Sequence, residues 1–127
     1  MEYKKEDYIS YRVSRSEEAR KDAEFAINNN SLFCAENRIY YSVFHLISAL
    51  AAKNNYSTSK HKQLKNWFPN NFVRNGLVSQ DLWKIYNKIF ENRISGNYDD
   101  FKHFEIEQVK SDFKDMKLFC QEIKKLI

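Results

Sequence analysis

The chain has 127 residues, a formal charge of +4 from 21 basic and 17 acidic side chains, 43% hydrophobic and 16% aromatic residues, and only two Gly and one Pro. That length and apolar content suffice for one core and exclude a disordered tail. The scarcity of breakers favours long helices over a many-turned β architecture, and the scattered acids leave no continuous basic stripe of the kind that demands a nucleic-acid partner.

In chain order, residues 5–28 read as a first helix, with Tyr8, Tyr11, Ala19, Ala23 and Ile27 able to share a face and Glu17, Glu18, Arg20, Lys21 and Asp22 on the solvated side. Asn28-Asn29-Asn30 stops it, and Ser31 is placed to cap the next helix. The second helix, 32–53, is apolar over more than half its circumference and is therefore expected to be central. Within it runs Asn37-Arg38-Ile39-Tyr40-Tyr41-Ser42-Val43-Phe44-His45. Polar groups in such a helix are costly unless each finds a partner. Arg38, Ser42, His45 and Ser48 also make it a core helix and not a membrane span.

After Asn54-Asn55, Ser57-Thr58-Ser59 is expected to cap a short helix carrying His61, Leu64, Trp67 and Phe68, with Pro69 breaking it. Gly76 suits a left-handed turn, and Ser79 caps a third main helix with Leu82, Ile85, Tyr86, Ile89 and Phe90 on its apolar stripe. Arg93 closes that amphipathic segment. In the last helix Ile106, Val109, Phe113, Met116, Cys120, Ile123 and Ile127 alternate spacings of three and four, a seam that fits a bundle or a dimer. The residues thus predict an all-α, up-and-down bundle of four main helices with a short additional helix in the middle, in a single domain over 1–127.

Cys34 and Cys120 sit in apolar helical patterns and are expected to be reduced, buried thiols of a cytoplasmic protein. With three scattered histidines they give no metal-site spacing. The charged segment Met1–Asp7 lacks the apolar region of a signal peptide. Lys60, His61, Lys62 and Lys65 beside Trp67 read as a solvated basic face above a buried Trp.

The succession Asn37-Arg38-x-Tyr40-Tyr41-x-x-Phe44-His45, then His61 before Phe72-Val73-x-x-Gly76-Leu77, then Asn92-Arg93-x-x-Gly96-Asn97-Tyr98-Asp99-Asp100, resembles the small prokaryotic HEPN-domain proteins over nearly the whole chain. The resemblance implies the same bundle, a homodimer with a shared polar cleft, no cofactor and, in active members, metal-independent RNase chemistry by an Arg followed after four to six residues by a His. It also implies toxin–antitoxin or defence systems, with a small nucleotidyltransferase-type antitoxin as partner. Arg93 matches the family Arg, but Tyr98 stands where the nearest-spaced His would be, and His103 lies outside the window. A phenol titrates near ~10 and is a poor base at neutral pH. Tyr98 would bind phosphate without cutting it.

Arg38 and His45 also satisfy the spacing, about 10 Å apart along one helix face. They read first as a hydrogen-bonded buried Arg and a satisfied core His, and second as a further cationic arm beside Arg93. The site implied is Arg38, Asn92, Arg93, Asn97 and Tyr98 for RNA or nucleotide binding, with Arg93, Tyr98, Arg38 and His45 as the candidates for any catalysis. Three functions follow: a non-catalytic or weakly active module binding protein and RNA, an endoribonuclease toxin, or an orphan protein-interaction domain.

Overall fold

The computed structural model describes residues 4–98 and 103–127, with the backbone alone for 95–98. Five α-helices follow one another: α1 (Lys5–Asn28), α2 (Leu32–Lys53), α3 (His61–Phe68), α4 (Gln80–Tyr98) and α5 (Ile106–Lys124). No strand occurs among the described residues. The fold is the expected all-α bundle, with α3 as the short extra helix. α2 is its axis, packing against α1, α3, α4 and α5.

The ends of α1 and α2 have one cause. Asn30 (φ 55) and Asn55 (φ 62) adopt the left-handed conformation just past each helix. After α1, Ser31 N–H donates to Ala26 O at 2.8 Å and Asn30 N–H to Ile27 O at 3.0 Å. After α2, Tyr56 donates to Ala51 at 2.9 Å and Asn55 to Ala52 at 3.0 Å. These are paired Schellman bonds that satisfy the last carbonyls, and Asn tolerates the positive φ they require. Ser79 Oγ accepts from Leu82 N–H at 3.2 Å and so caps α4. Ser31 makes no such bond at the start of α2.

Small residues bring α1 against α2. Ser16, Ala19, Ala23 and Ala26 are the buried positions of α1. Ser16 Oγ donates to Ser42 O (2.7 Å) and Ser42 Oγ to Ser16 O (3.0 Å), a reciprocal clasp that satisfies polar groups in the core. On the other side of α2, Phe68, Tyr86 and Phe119 join α3, α4 and α5 through ring contacts of 5.6–5.9 Å.

α3 ends at Phe68, just before Pro69 as expected, but the helical path continues as a π-helical turn over Pro69–Val73, closed by Arg74 N–H to Pro69 O at 3.0 Å. A proline in the first position of a turn lacks only a donor that would be unsatisfied there anyway. Cys34, expected to be buried, is exposed, lying on the solvent side of the first turn of α2 whereas Ala35 next to it is fully buried, and Cys120 alone is buried. Burial lifts the Cys120 thiol to about 12, so it stays protonated.

Candidate functional site

Successive turns of α2 present Tyr40, Tyr41, Phe44 and His45 as a nearly continuous aromatic floor. Tyr40 is fully buried, with Tyr41 edge-on to it at 5.3 Å and Phe44 stacked at 6.1 Å. His61 opens α3 and lies flat on Phe44, its ring centroid 4.2 Å away at 8°. Its Nδ1 is 2.5 Å from the Tyr40 hydroxyl.

Three arginines from three helices converge on these rings. Arg12 of α1 lies 5.6 Å from the Phe44 centroid, with Nη1 2.8 Å from His45 Nδ1 and Nε donating to the Tyr8 hydroxyl at 2.9 Å. Arg38 of α2 lies 5.0 Å from the Tyr41 ring and donates to Asn37 Oδ1. Arg93 of α4 lies 4.7 Å from the Tyr40 ring and 5.4 Å from that of Tyr41, and donates to the Tyr41 hydroxyl at 3.2 Å. Its Nε is buried with no hydrogen-bond partner. Among the described residues, no carboxylate comes within 4.0 Å of any of the three guanidiniums; the ion pairs involve Arg15, Arg20, Lys65, Lys88, Lys124 and Lys125 instead. Glu36 is buried one turn before Tyr40.

The protonation states follow from burial and this positive field. Burial first, then Arg12, Arg15, Arg38 and His61, push the His45 imidazole down to about 4. Burial, then Arg93 and Arg12, lower His61 as well. Burial raises the Tyr40 phenol despite Arg93. At neutral pH both imidazoles are therefore neutral and the phenol keeps its proton. The hydrogen bonds then assign the tautomers. A guanidinium can only donate, so His45 Nδ1 accepts from Arg12 and the ring proton sits on Nε2. The buried Tyr40 O–H donates to His61 Nδ1, which places that proton on Nε2 as well.

Each imidazole thus spends its lone pair inside the cluster and keeps an N–H donor. The Tyr41 hydroxyl, accepting from Arg93, retains its own proton to donate. The cluster is rich in donors and poor in free acceptors: it suits an anion and lacks a ready base.

The expected residues divide. Arg38 and Arg93 meet on Tyr41, and His45 joins the same cluster, neither a lone core histidine nor free. Arg38 rests on an aromatic face and on Asn37, not on buried carbonyls. The Asn92 amide turns instead to α5, donating to Asp112 at 2.9 Å. Asn97 and Tyr98 end α4, but their side chains lie outside the described residues, as do Asp99 and Asp100. Two members were missed as site residues. Arg12 carried only a weak signal, its spacing of four from Tyr8 on a mainly polar helix. His61 was grouped with Lys60 and Lys62, which are indeed exposed, whereas its own ring is half-buried on Phe44. Lys65 sits 4.4 Å from the Phe90 ring, and Trp67 stacks on Tyr56. No group of three or more His, Cys, Asp or Glu that could hold a metal ion occurs among the described residues. Nor is any helix among them long and apolar enough to cross a membrane.

A helical bundle around one long central helix, with arginines of α1, α2 and α4 gathered on its aromatic rings, is the class of protein that fold and site define. The model of the HEPN domain matches residues 9–126, and the chain belongs to that family. It is 39% identical over 123 residues to a UPF0332 protein of Thermotoga maritima, covering 97% of this chain and 93% of that protein. It is also 24% identical over 99 residues to a protein of Methanocaldococcus jannaschii named "Putative toxin MJ0142", covering 78% of this chain and 66% of that one.

Proposed function

We propose that this HEPN-domain protein is a non-catalytic or weakly active module that holds RNA or nucleotide phosphate in the Arg12–Arg38–Arg93 cleft and works with a protein partner in a toxin–antitoxin-type or defence system. The observation that carries the reading is the state of the cluster: three guanidiniums without a carboxylate in ion-pair reach among the described residues, beside two neutral imidazoles whose lone pairs are already occupied. Phosphate oxygens match guanidinium forks in charge and geometry. Cleavage of RNA needs a group that takes the 2′-hydroxyl proton, and here that would require breaking the Arg12–His45 or the Tyr40–His61 bond first. The test is a labelled RNA incubated with the purified protein and with Arg93→Ala. Binding that weakens with salt and depends on Arg93, with the RNA left intact, is the expected result. Loss of neither binding nor its salt dependence in Arg93→Ala would remove the cleft from the account.

The runner-up is a metal-independent endoribonuclease toxin. It draws on the presence of His45 and His61 in one cluster with three arginines and on the name of the archaeal relative. RNA cleavage by the wild type that Arg93→Ala abolishes would promote it. If RNA is neither bound nor cut, an orphan protein-interaction domain is left.

The partner envisaged is a nucleotidyltransferase-type antitoxin, in keeping with the family and with the relative's name, and a cytoplasmic homodimer is the working assembly. Phe25, 70% exposed, lines a cavity with Arg38, and Phe33 is 53% exposed, so the two supply apolar surface for a contact between copies. Light scattering at high micromolar concentration should give twice the chain mass; a monomer would overturn the dimer.

A further inference from the structure

We infer that the Arg12–Arg38–Arg93 cleft takes a phosphate monoester, the terminal phosphate of an RNA or a free nucleotide, in preference to the internal diester of an RNA strand. The inference rests on the anion-binding reading above and deepens it.

Charge and donor number set the preference. An internal phosphodiester offers one negative charge and two non-bridging oxygens. A monoester offers three such oxygens and a charge of about −1.5 to −2 at pH 7. The cleft presents three cations drawn from α1, α2 and α4, and both imidazoles add neutral N–H donors without adding charge. Arg12 lies over Phe44, the ring on which His61 stacks, and Arg93 lies over Tyr40, whose hydroxyl meets His61 Nδ1, so both cations border the His61 ring. The arginines are half-buried against rings, and Arg93 Nε is fully buried without a partner. A diester would neutralise a single charge of this set. A dianion neutralises more of it through charge-assisted bonds that strengthen where water is excluded.

A surface that tracks backbone phosphates would look different. It would spread its cations along a groove, one per phosphate, and interleave them with exposed rings for stacking. Here the cations gather on adjoining rings of one helix. The exposed lysines Lys60 and Lys62 next to His61 supply only a solvated rim.

The test uses one short RNA sequence in three forms, with a 5′-phosphate, with a 3′-phosphate and with hydroxyls at both ends, measured by fluorescence anisotropy at fixed salt. AMP, adenosine and inorganic phosphate serve as competitors. A phosphorylated end should bind at least about tenfold tighter than the hydroxyl form, and AMP should compete where adenosine does not. If AMP fails to compete while the phosphorylated RNA stays tight, the terminal phosphate of a strand is the ligand and the free nucleotide is not. Arg12→Lys, which keeps the charge and loses the fork, should shrink the preference without unfolding the protein, as checked by its melting curve; Arg12→Gln should shrink it further. Equal affinity for all three RNA forms would overturn the monoester inference and leave the RNA-binding reading standing. Failure of every RNA form to bind, with no heat from AMP in a direct calorimetric titration, would sink both.

Discussion

Two clusters of charge in this molecule are built in opposite ways. Along the α4–α5 seam each charge is matched: buried Asp112 accepts from Asn92 at 2.9 Å and lies 3.1 Å from the Lys88 ammonium, which also donates to Asp115 at 2.7 Å. Burial alone would lower the Lys88 ammonium, but its bonds to Asp115 and Asp112 leave it raised. Around Tyr41 three guanidiniums rest on rings, on each other's hydrogen-bond neighbours and on no carboxylate within ion-pair reach among the described residues. Both clusters include a side chain from the same turn of α4, Asn92 facing one and Arg93 the other. The seam spends its polar groups on holding helices together. The arginine cluster has no ion pair within hydrogen-bonding range among the described residues, and a cation in that state gains by binding an anion.

The contrast predicts that the two clusters respond to different assays. The largest effect on stability should come from Asp112→Ala, which leaves the Asn92 amide without its buried acceptor and Lys88 with Asp115 alone; about 2–3 kcal/mol of unfolding free energy should be lost in a denaturant titration. RNA affinity of the folded fraction should not change. Arg93→Ala should do the reverse, weakening RNA binding by about 10- to 100-fold, the range for a charged hydrogen-bond donor, while costing only about 1 kcal/mol of ring contact in stability. A variant at either position that moves both readouts equally would dissolve the distinction.

The cleft should also make stability depend on pH. The folded-state pKa of His45 is about 4, below the ordinary value of 6.5. The unfolded chain therefore binds more protons than the folded one between these values. Stability should be fully present above about pH 6.5 and fall as pH drops towards 4, with a limiting slope of about 1.4 kcal/mol per pH unit for one proton. His61, lowered in the same direction, adds to it. His45→Gln, which can still accept from Arg12, should flatten this part of the profile. An unchanged slope would mean that His45 is not held neutral. The smallest effect is expected from Lys88→Ala, about 0.5 kcal/mol, because this lysine is partly solvated and Asp112 keeps its bond to Asn92.

The fold was legible because its signals are local. The Asn runs at 28–30 and 54–55 mark real helix ends, since Asn30 and Asn55 take the left-handed conformation there, and Ser79 caps α4 through its own side chain. Pro69 does end the short α-helix at Phe68, but the π-helical turn that follows depends on the residue's position in a turn, which the sequence does not display. Cys34 was misread because an apolar stretch at a helix start says nothing about whether a neighbour covers it. In the cleft, Arg38 and Arg93 were traceable through the family motif and the oddity of charges near an apolar helix. His61 belongs to the family succession but not to its site, and Arg12 to neither, because their roles arise from contacts across 21 and 33 residues, to Tyr40 and His45 respectively. No spacing rule joins such pairs. The tautomers, and with them the scarcity of a free base, became readable only when those partners were placed.

The central claim is that the cleft holds phosphate and leaves it uncut. The most direct measurement incubates one end-labelled RNA with the wild type and with Arg93→Ala over a salt series, and resolves bound, free and shortened RNA in the same samples. The account predicts wild-type binding that falls with salt, its loss in Arg93→Ala and full-length RNA throughout. Shortened RNA with the wild type and none with Arg93→Ala would contradict it and make the cleft a nuclease centre.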